Sequence, residues 1–202
     1  MSKPETLSFR RRHLPHWMVD DKPYFVTFRL KGSLPEEVAE RMRLERDELL
    51  RSGADEATML DCRRRQFVRM ESILDAAKDS PMHLANPAIA KMVFDAFDWL
   101  EEQRGWEVFA AVIMPNHVHA LLQNFAGRND ALSTDLGVVK GYTARLANQI
   151  LQTKDAFWQD ENFDHWIRDA EKFEATIRYI KQNPVKAGLC VNWRDWRWTR
   201  VK

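Results

Sequence analysis

A short apolar run with two histidines, from Ala111 to Gln123, constrains the fold more than any other part of the chain. Pro115 and Asn116 interrupt the run, which therefore predicts two strands, over 106–114 and 117–124, separated by a tight turn or a kink. Side chains of a strand alternate between the two faces of its sheet. His117 and His119 therefore lie on one face, and Val118 packs on the other.

The histidine pair has two interpretations. Two polar positions on a half-buried strand would give the same pattern. Two neutral imidazoles side by side are also half of a metal site, because imidazole is a common metal ligand. A histidine–hydrophobe–histidine triplet inside an apolar run favours the metal site.

The rest of the chain alternates between helix and strand patterns. An aromatic and β-branched run from Tyr24 to Lys31 predicts the first strand. Helices are predicted over 36–52, 56–78, 87–104, 134–152 and 170–183, a loop over 125–133, and an irregular segment or short strand over 157–167. We therefore predict an α+β fold, a ferredoxin-like antiparallel sheet with helices packed on it. Residues 1–202 are expected to form a single domain, with a helical insertion at 36–80 after the first strand and a C-terminal tail at 185–202.

The charge balance excludes nucleic-acid binding that depends on a net positive charge of the whole protein. Thirty-one basic and 30 acidic residues nearly cancel, so any such binding depends on local patches. Cys62 and Cys190 fit no CxxC pattern and indicate reduced thiols. The N-terminus lacks a signal-peptide pattern, and no apolar run approaches the roughly 20 residues that a membrane span requires. We expect a bacterial cytoplasmic protein with no membrane partner.

Two of the three tyrosines are expected to serve packing. Tyr24 begins a strand. Tyr142 lies among the apolar positions predicted for its helix and is therefore expected in the core. Those positions are Leu136, Val139, Leu146 and Ile150.

Tyr179 differs from the other two tyrosines. Its helix buries Phe173, Ile177 and Ile180, and at about 100° per residue Tyr179 points away from that stripe. Asn183 follows one turn later on the same side, where its carboxamide oxygen would suit Mg²⁺ or Mn²⁺. The alternative is a tyrosine at the margin of the core and an asparagine that caps the helix before Pro184 ends it.

Four stretches of the chain resemble the REP-associated tyrosine transposases, a branch of the single-tyrosine HUH transposases. These stretches are residues 24–29, residues 112–122, Trp158–Gln159 with Phe163–Arg168, and Tyr179–Leu189. The resemblance implies that His117 and His119 hold a divalent metal, that Asn183 supplies a third ligand, and that Tyr179 is the nucleophile. It also implies that the substrate is single-stranded DNA next to small hairpins, the repetitive extragenic palindromes (REP). Residues 36–80 depart from shorter relatives, and their role is open.

The implied chemistry is nicking and joining of DNA through a 5′-phosphotyrosine, supported by Mg²⁺ or Mn²⁺, in a monomer or a homodimer. Several cations are candidates for contacts with DNA. They are Arg11 and Arg12 before the first strand, Lys140 and Arg145 off the apolar stripe of their helix, and Arg168 within a family-like string. His165 in that string suits a structural hydrogen bond or a hairpin contact equally. In the tail, tryptophans alternate with arginines, which suits either stacking on unpaired bases or a terminal strand with one buried face.

Two other classes of function share part of this pattern. Nucleotide hydrolases with a His-x-His-x-His strand need a third histidine where this chain has Leu121, and barrel amidohydrolases need about 250 residues. A domesticated relative that binds REP hairpins without cutting them would lack a ligand or the tyrosine. All four positions are intact here, which favours the enzyme.

Overall fold

The computed structural model describes residues 6–11, 15–19, 22–76, 80–127 and 131–202. The strands are β1 (Thr6–Arg11), β2 (Pro15–Val19), β3 (Tyr24–Arg29), β4 (Trp106–Ile113), β5 (His117–Asn124), β6 (Phe163–Trp166) and β7 (Thr199–Val201). The helices are α1 (Glu36–Arg51), α2 (Glu56–Ala76), α3 (Pro87–Arg104), α4 (Ala131–Leu151) and α5 (Ala170–Lys186). Residues 77–79, in the predicted second helix and insertion, and residues 128–130, in the predicted loop, lie outside the described part.

Five strands form an antiparallel sheet in the order β6-β3-β5-β4-β7. The predicted α+β fold with helices packed on an antiparallel sheet is confirmed. One detail was wrong: the strand predicted to be the first is β3, because β1 and β2 precede it as an antiparallel hairpin. The hairpin lacks the clear alternation of apolar and polar residues that identifies a half-buried strand.

One face of the sheet carries the larger core. Alternate residues of β3 and β5, including Phe28, Val118 and Ala120, pack there against α3 and α4 and are completely buried. The predicted alternation of side chains is therefore present. Val118 lies in this core, and His117 and His119 face the opposite side of the sheet. Tyr24, predicted to serve packing, is 2% exposed in the same core.

The opposite face is covered by α5 and by α2 of the insertion. Ile177 and Ile180 of α5 pack on Phe25 and Leu121 of the sheet. Phe67 of α2 joins this cluster from the side. The inserted helices are thus part of the layer that covers the histidines.

Helix α3 has the ends that its sequence predicts. The side chain of Asn86 accepts a hydrogen bond from the backbone N–H of Ala88, and Pro87 occupies the first turn. Gly105 ends the helix at φ +69°, and a Cβ there would come within 2.8 Å of the Ala126 Cβ. Both the left-handed conformation and the close approach require glycine.

The apolar stripe predicted for α4 was wrong in its second half. The buried positions continue from Leu136 and Val139 to Thr143 and Ala147, not to the predicted Leu146 and Ile150. Thr143 is polar but satisfied, because its hydroxyl donates to the carbonyl of Val139. This shift turns Tyr142 outward, where it is 50% exposed instead of buried in the core as predicted.

Pro184 does not end α5 as predicted. The helix continues to Lys186, with Pro184 buried inside it. Proline removes one N–H donor, but the N–H groups of Ala187 and Leu189 bond to the carbonyls of Asn183 and Pro184 and close the last turn. Asn183 consequently lies within the helix and does not cap it.

None of the helices in the described ranges combines the length and the apolar character that crossing a membrane would require.

Candidate active site

The β4–β5 turn brings the two imidazoles together. The backbone N–H of Met114 donates to the carbonyl of His117 at 2.9 Å, which closes the predicted tight turn at Pro115 and Asn116. His117 and His119 follow on the same face of β5, and their Nε2 atoms are 3.0 Å apart. Their exposed fractions are 1% and 0%. The two ring nitrogens therefore converge in a site shielded from water.

The outer nitrogen of each imidazole is held by the protein. His117 Nδ1 lies 2.6 Å from Asn116 Oδ1, and His119 Nδ1 lies 2.7 Å from the hydroxyl of Thr27. The amide of Asn116 is itself oriented, because its Nδ2 donates to the carbonyl of Leu74 in α2. A carboxamide oxygen can only accept, so His117 carries its proton on Nδ1 and presents the Nε2 lone pair to the site.

Tyr179 of α5 lies against this pair. Its ring centroid is 5.4 Å from that of His119 and 5.7 Å from that of Phe25. The hydroxyl donates a hydrogen bond to Glu71 Oε2. The predicted convergence of a phenol with the imidazole pair is thus present within one chain. Tyr24 and Tyr142 lie in the core of the other face and on the surface, respectively.

Asn183 lies one turn beyond Tyr179 and is 2% exposed. Its carboxamide lies close enough to the His117 ring and the Tyr179 hydroxyl to influence the pKa of both groups. Its Oδ1 is buried and finds no hydrogen-bond donor among the described residues. The structure therefore places all four residues predicted from the sequence in one cluster, with an unsatisfied oxygen pointing to a missing partner.

Sequence reasoning missed a fifth member of this cluster, Glu71 of α2. Its Oε2 lies 3.0 Å from His119 Nε2, and its Oε1 is buried without a hydrogen-bond donor among the described residues. The sequence did carry a signal: Glu71 lies four residues after Phe67 and three before Leu74, on the apolar stripe of a helix. A carboxylate at such a position must be paired or must bind a cation.

The electrostatics of the cluster follow from burial. Burial lowers the pKa of His117 to about 3, so its imidazole is neutral at physiological pH. Burial alone would raise the pKa of Glu71, but interactions with His119, His117 and Tyr179 outweigh it and lower that pKa to about 2. Burial and the adjacent Glu71 carboxylate raise the pKa of Tyr179. The resting site therefore holds an anionic carboxylate beside a protonated phenol.

The donor set of the cluster fits a divalent metal. Ligand atoms of Glu71, His117 and His119 all lie within 4.8 Å of one another. Asn183 and Glu71 of this cluster each carry a buried oxygen without a donor among the described residues, and a cation would satisfy such oxygens. Imidazole nitrogen with carboxylate and carboxamide oxygen suits Mn²⁺ and also accommodates Mg²⁺.

Asn116→Ala is expected to weaken Mn²⁺ binding about 10–100-fold, because the His117 ring loses the acceptor that fixes its tautomer. Titration of Mn²⁺ by electron paramagnetic resonance measures this. Asn124→Ala is a matched control, because that asparagine caps the far end of β5 through Arg104 and contacts no histidine. Equal Mn²⁺ affinity of Asn116→Ala and the wild type would contradict this role.

The candidate DNA contacts have mixed positions. Arg145 and Arg168 are exposed and lie over the rings of Tyr142 and Trp166, at 5.7 and 5.3 Å from the ring centroids. The ammonium of Lys140 instead donates to the carbonyls of Gln159 and Asp160 and to the side chain of Asn162. It thereby holds the loop before β6. Contact of these three residues with DNA stays a prediction.

Two other candidates cannot be placed as side chains. Arg11 is the last residue of β1, of which only the backbone is described, and Arg12 lies outside the described residues. His165 is exposed on β6, with its ring centroid 5.3 Å from that of Phe25. Both of its alternative roles stay open.

The tail contains a short terminal strand, β7, whose residues are half-buried, preceded by the buried Trp198. β7 pairs with β4, Trp198 is 8% exposed in the core, and the indole N–H of Trp196 donates to the carbonyl of Ile113. Arg200 forms ion pairs with Asp98 and Glu101. These residues serve the fold. They leave Trp193, Arg194 and Arg197 on the outer part of the tail, where Arg194 lies over the ring of Trp193 and Arg197 over that of Trp198.

The structure shows a histidine pair on the sheet facing a tyrosine on a helix, which is the arrangement that the resemblance to the single-tyrosine HUH transposases implies. The chain belongs to the family described as "Transposase IS200 like", whose model matches residues 78–183. The match covers α3, β4, β5, α4, β6 and the part of α5 up to Asn183. It begins after Glu71, so the carboxylate of the cluster lies outside it.

The names of two relatives are consistent with this family and with the resemblance given in the sequence analysis. The chain is 31% identical over 103 residues to a protein of Haemophilus influenzae, and 26% identical over 106 residues to one of Escherichia coli K12. Both are named as REP-associated tyrosine transposases. The matches cover 47% and 52% of this chain but 58% and 61% of the relatives, so the chain spans about three fifths of their length.

A solved structure shares the fold. It is a REP-associated tyrosine transposase bound to a REP hairpin, with a TM-score of 0.55 and 18% sequence identity. The alignment covers 95% of this chain and 81% of that one. At this identity the likeness establishes the architecture, including the five-stranded sheet and its helices.

Proposed function

We propose that the chain nicks and joins single-stranded DNA next to REP-type hairpins through a 5′-phosphotyrosine on Tyr179. The observation that carries this proposal is the convergence of the Tyr179 hydroxyl with the paired Nε2 atoms of His117 and His119. The family of transposases and the names of the relatives support the substrate class.

The chemistry follows from the position of the phenol. The Tyr179 oxygen gives up its proton and forms a bond to the scissile phosphorus, the bond from phosphorus to the 3′ oxygen breaks, and that oxygen takes up a proton and leaves as a free 3′-hydroxyl. The new phosphotyrosine ester conserves the energy of the broken ester. A second 3′-hydroxyl can therefore reverse the reaction and join strands without ATP.

The other residues of the cluster prepare this attack. His117, His119 and Asn183 would hold a divalent ion, which would neutralise charge on a non-bridging oxygen of the phosphate. The Asn183 carboxamide also lies near enough to Tyr179 to lower the pKa of its hydroxyl against the opposing effect of burial. Histidine ligands are unusual for Mg²⁺, and we expect Mn²⁺ to support activity at least as well.

Access to the site requires movement. The pair of histidines and Asn183 are at most 2% exposed, and Glu71 is 7% exposed. A phosphate of DNA reaches these atoms only after one of the covering helices, α2 or α5, shifts away. Binding of a hairpin and opening of the site are therefore expected to be separate steps.

The proposal is tested by incubating the full chain with a 5′- or 3′-labelled hairpin oligonucleotide and Mn²⁺, followed by a denaturing gel. We expect a protein–DNA adduct that retains the label downstream of the cut, a shorter fragment with a 3′-hydroxyl, and loss of both with EDTA. Hairpin binding without any cleavage would instead assign the chain to the non-cutting, domesticated class. Cleavage without an adduct would contradict the tyrosine chemistry.

A further inference from the structure

We propose that Glu71, from the inserted helix α2, is a ligand of the divalent ion at the His117–His119 pair. The inference rests on the proposed metal centre and assigns part of it to a segment outside the matched family region. The insertion would then complete the site, in addition to covering it.

The geometry places the carboxylate among the other ligands. Glu71 Oε2 is 3.0 Å from His119 Nε2, the same separation that joins the two imidazoles through their Nε2 atoms. The second carboxylate oxygen is buried and has no hydrogen-bond donor among the described residues. A carboxylate that already pairs with His119 and Tyr179 still has an oxygen to offer to a cation.

Charge supplies a second argument. The imidazoles and the Asn183 carboxamide are neutral ligands, and a dication in a nearly dry site needs an anion beside it. Glu71 provides that anion at 7% exposure. Asp75, one turn further along α2, is exposed. It does not belong to the group of ligand atoms that Glu71 forms with His117 and His119.

The packing of α2 fixes this carboxylate in place. Met70 and Leu74 on either side of Glu71 pack on Leu34, and Phe67, one turn earlier, contacts Phe25 of the sheet at 5.7 Å between ring centroids. The carbonyl of Leu74 also holds Asn116, which orients His117. One turn of the insertion thus positions the Glu71 carboxylate and, through Asn116, also orients His117.

The test measures Mn²⁺ binding to the full, DNA-free chain by electron paramagnetic resonance, with Glu71→Gln and Glu71→Ala. Glutamine keeps the shape and removes the charge. We expect affinity to fall at least about tenfold in both variants. Asp75→Asn removes a negative charge from the same helix without removing a ligand, so a change of less than about threefold is expected there.

The outcomes separate this inference from the proposed function. Wild-type Mn²⁺ affinity in Glu71→Gln overturns the inference, and the carboxylate would then only seal the site. An equal loss of Mn²⁺ affinity in Asp75→Asn also overturns the inference, because the effect would then reflect the net negative charge of the helix and not a ligand. His119→Ala in the same titration tests the metal centre itself: if that variant binds Mn²⁺ as tightly as the wild type, the proposed centre fails. Thermal unfolding of each variant checks that it is folded. If Glu71→Ala does not fold, the Mn²⁺ affinity of Glu71→Gln decides between the outcomes.

Discussion

Tyr179→Phe is expected to abolish the covalent protein–DNA adduct, whereas Tyr142→Phe leaves its yield unchanged. Tyr179 is the tyrosine whose hydroxyl lies with the histidine pair, and phenylalanine lacks the oxygen that would bond to phosphorus. Tyr142 is half exposed on α4, in contact with Arg145, and has no role in the cluster. The measurement is the amount of labelled DNA that migrates with the protein on a denaturing gel.

The same pair of variants controls for structure. Each replacement removes one hydroxyl and leaves the ring, so Tyr179→Phe keeps the packing on Phe25 and Phe67. Unfolding midpoints within a few degrees of the wild type would establish that the fold is retained. An adduct that persists in Tyr179→Phe, or is lost in Tyr142→Phe, would assign the nucleophile elsewhere.

His119→Ala is expected to lower the rate of adduct formation by at least about 10²–10³-fold while hairpin affinity stays within a few-fold of the wild type. The loss reflects removal of a metal ligand and of charge stabilisation at the phosphate. Affinity is retained because the imidazole is completely buried, whereas DNA is held by surface groups. Single-turnover adduct formation and hairpin binding by fluorescence anisotropy measure the two quantities.

A cavity complicates this variant and needs its own control. The His119 ring stacks on Phe25 at 5.4 Å between centroids, so alanine leaves space in the core and lowers the free energy of unfolding. His119→Gln fills more of that space and should show the same division between binding and cleavage. An equal loss of hairpin binding in both variants would mean that His119 contacts DNA or supports the fold.

Local patterns predicted much of the fold. The alternation around Val118 identified the face of each neighbour, because strand side chains have a fixed period of two. Asn86, Pro87 and Gly105 marked the ends of α3 through capping chemistry that depends on adjacent residues. The convergence of Tyr179 with the histidines was expected through the family resemblance, which carries long-range information that periodicity lacks.

Features set by tertiary contacts were predicted poorly. The predicted burial of Tyr142 was wrong because the neighbouring Thr143 takes the buried position instead. The hydroxyl of Thr143 can be buried there because it donates to a carbonyl of the same helix. Pro184 was assigned to the end of a helix, yet the next N–H groups close another turn beyond it. Glu71 was missed because 108 residues separate it from Tyr179, and no local pattern in α2 specifies that partner.

The insertion changes how the site should be viewed. α2 supplies Glu71, holds Asn116 through Leu74, and packs Phe67 on the ring of Phe25. Arg63 of the same helix donates to the carbonyl of Asp164 and so ties α2 to β6 at the sheet edge. A segment that lies outside the matched family region is therefore integrated with the structure of the candidate site.

Peptide mapping of the covalent adduct tests the central claim most directly. The full chain is incubated with Mn²⁺ and a hairpin oligonucleotide, the DNA is trimmed with nucleases, and the digested protein is analysed by mass spectrometry. We predict one modified peptide, carrying a 5′-phosphonucleotide on Tyr179, that is absent when EDTA replaces Mn²⁺. Modification of Tyr24 or Tyr142, or cut DNA beside an unmodified Tyr179 peptide, would contradict the account.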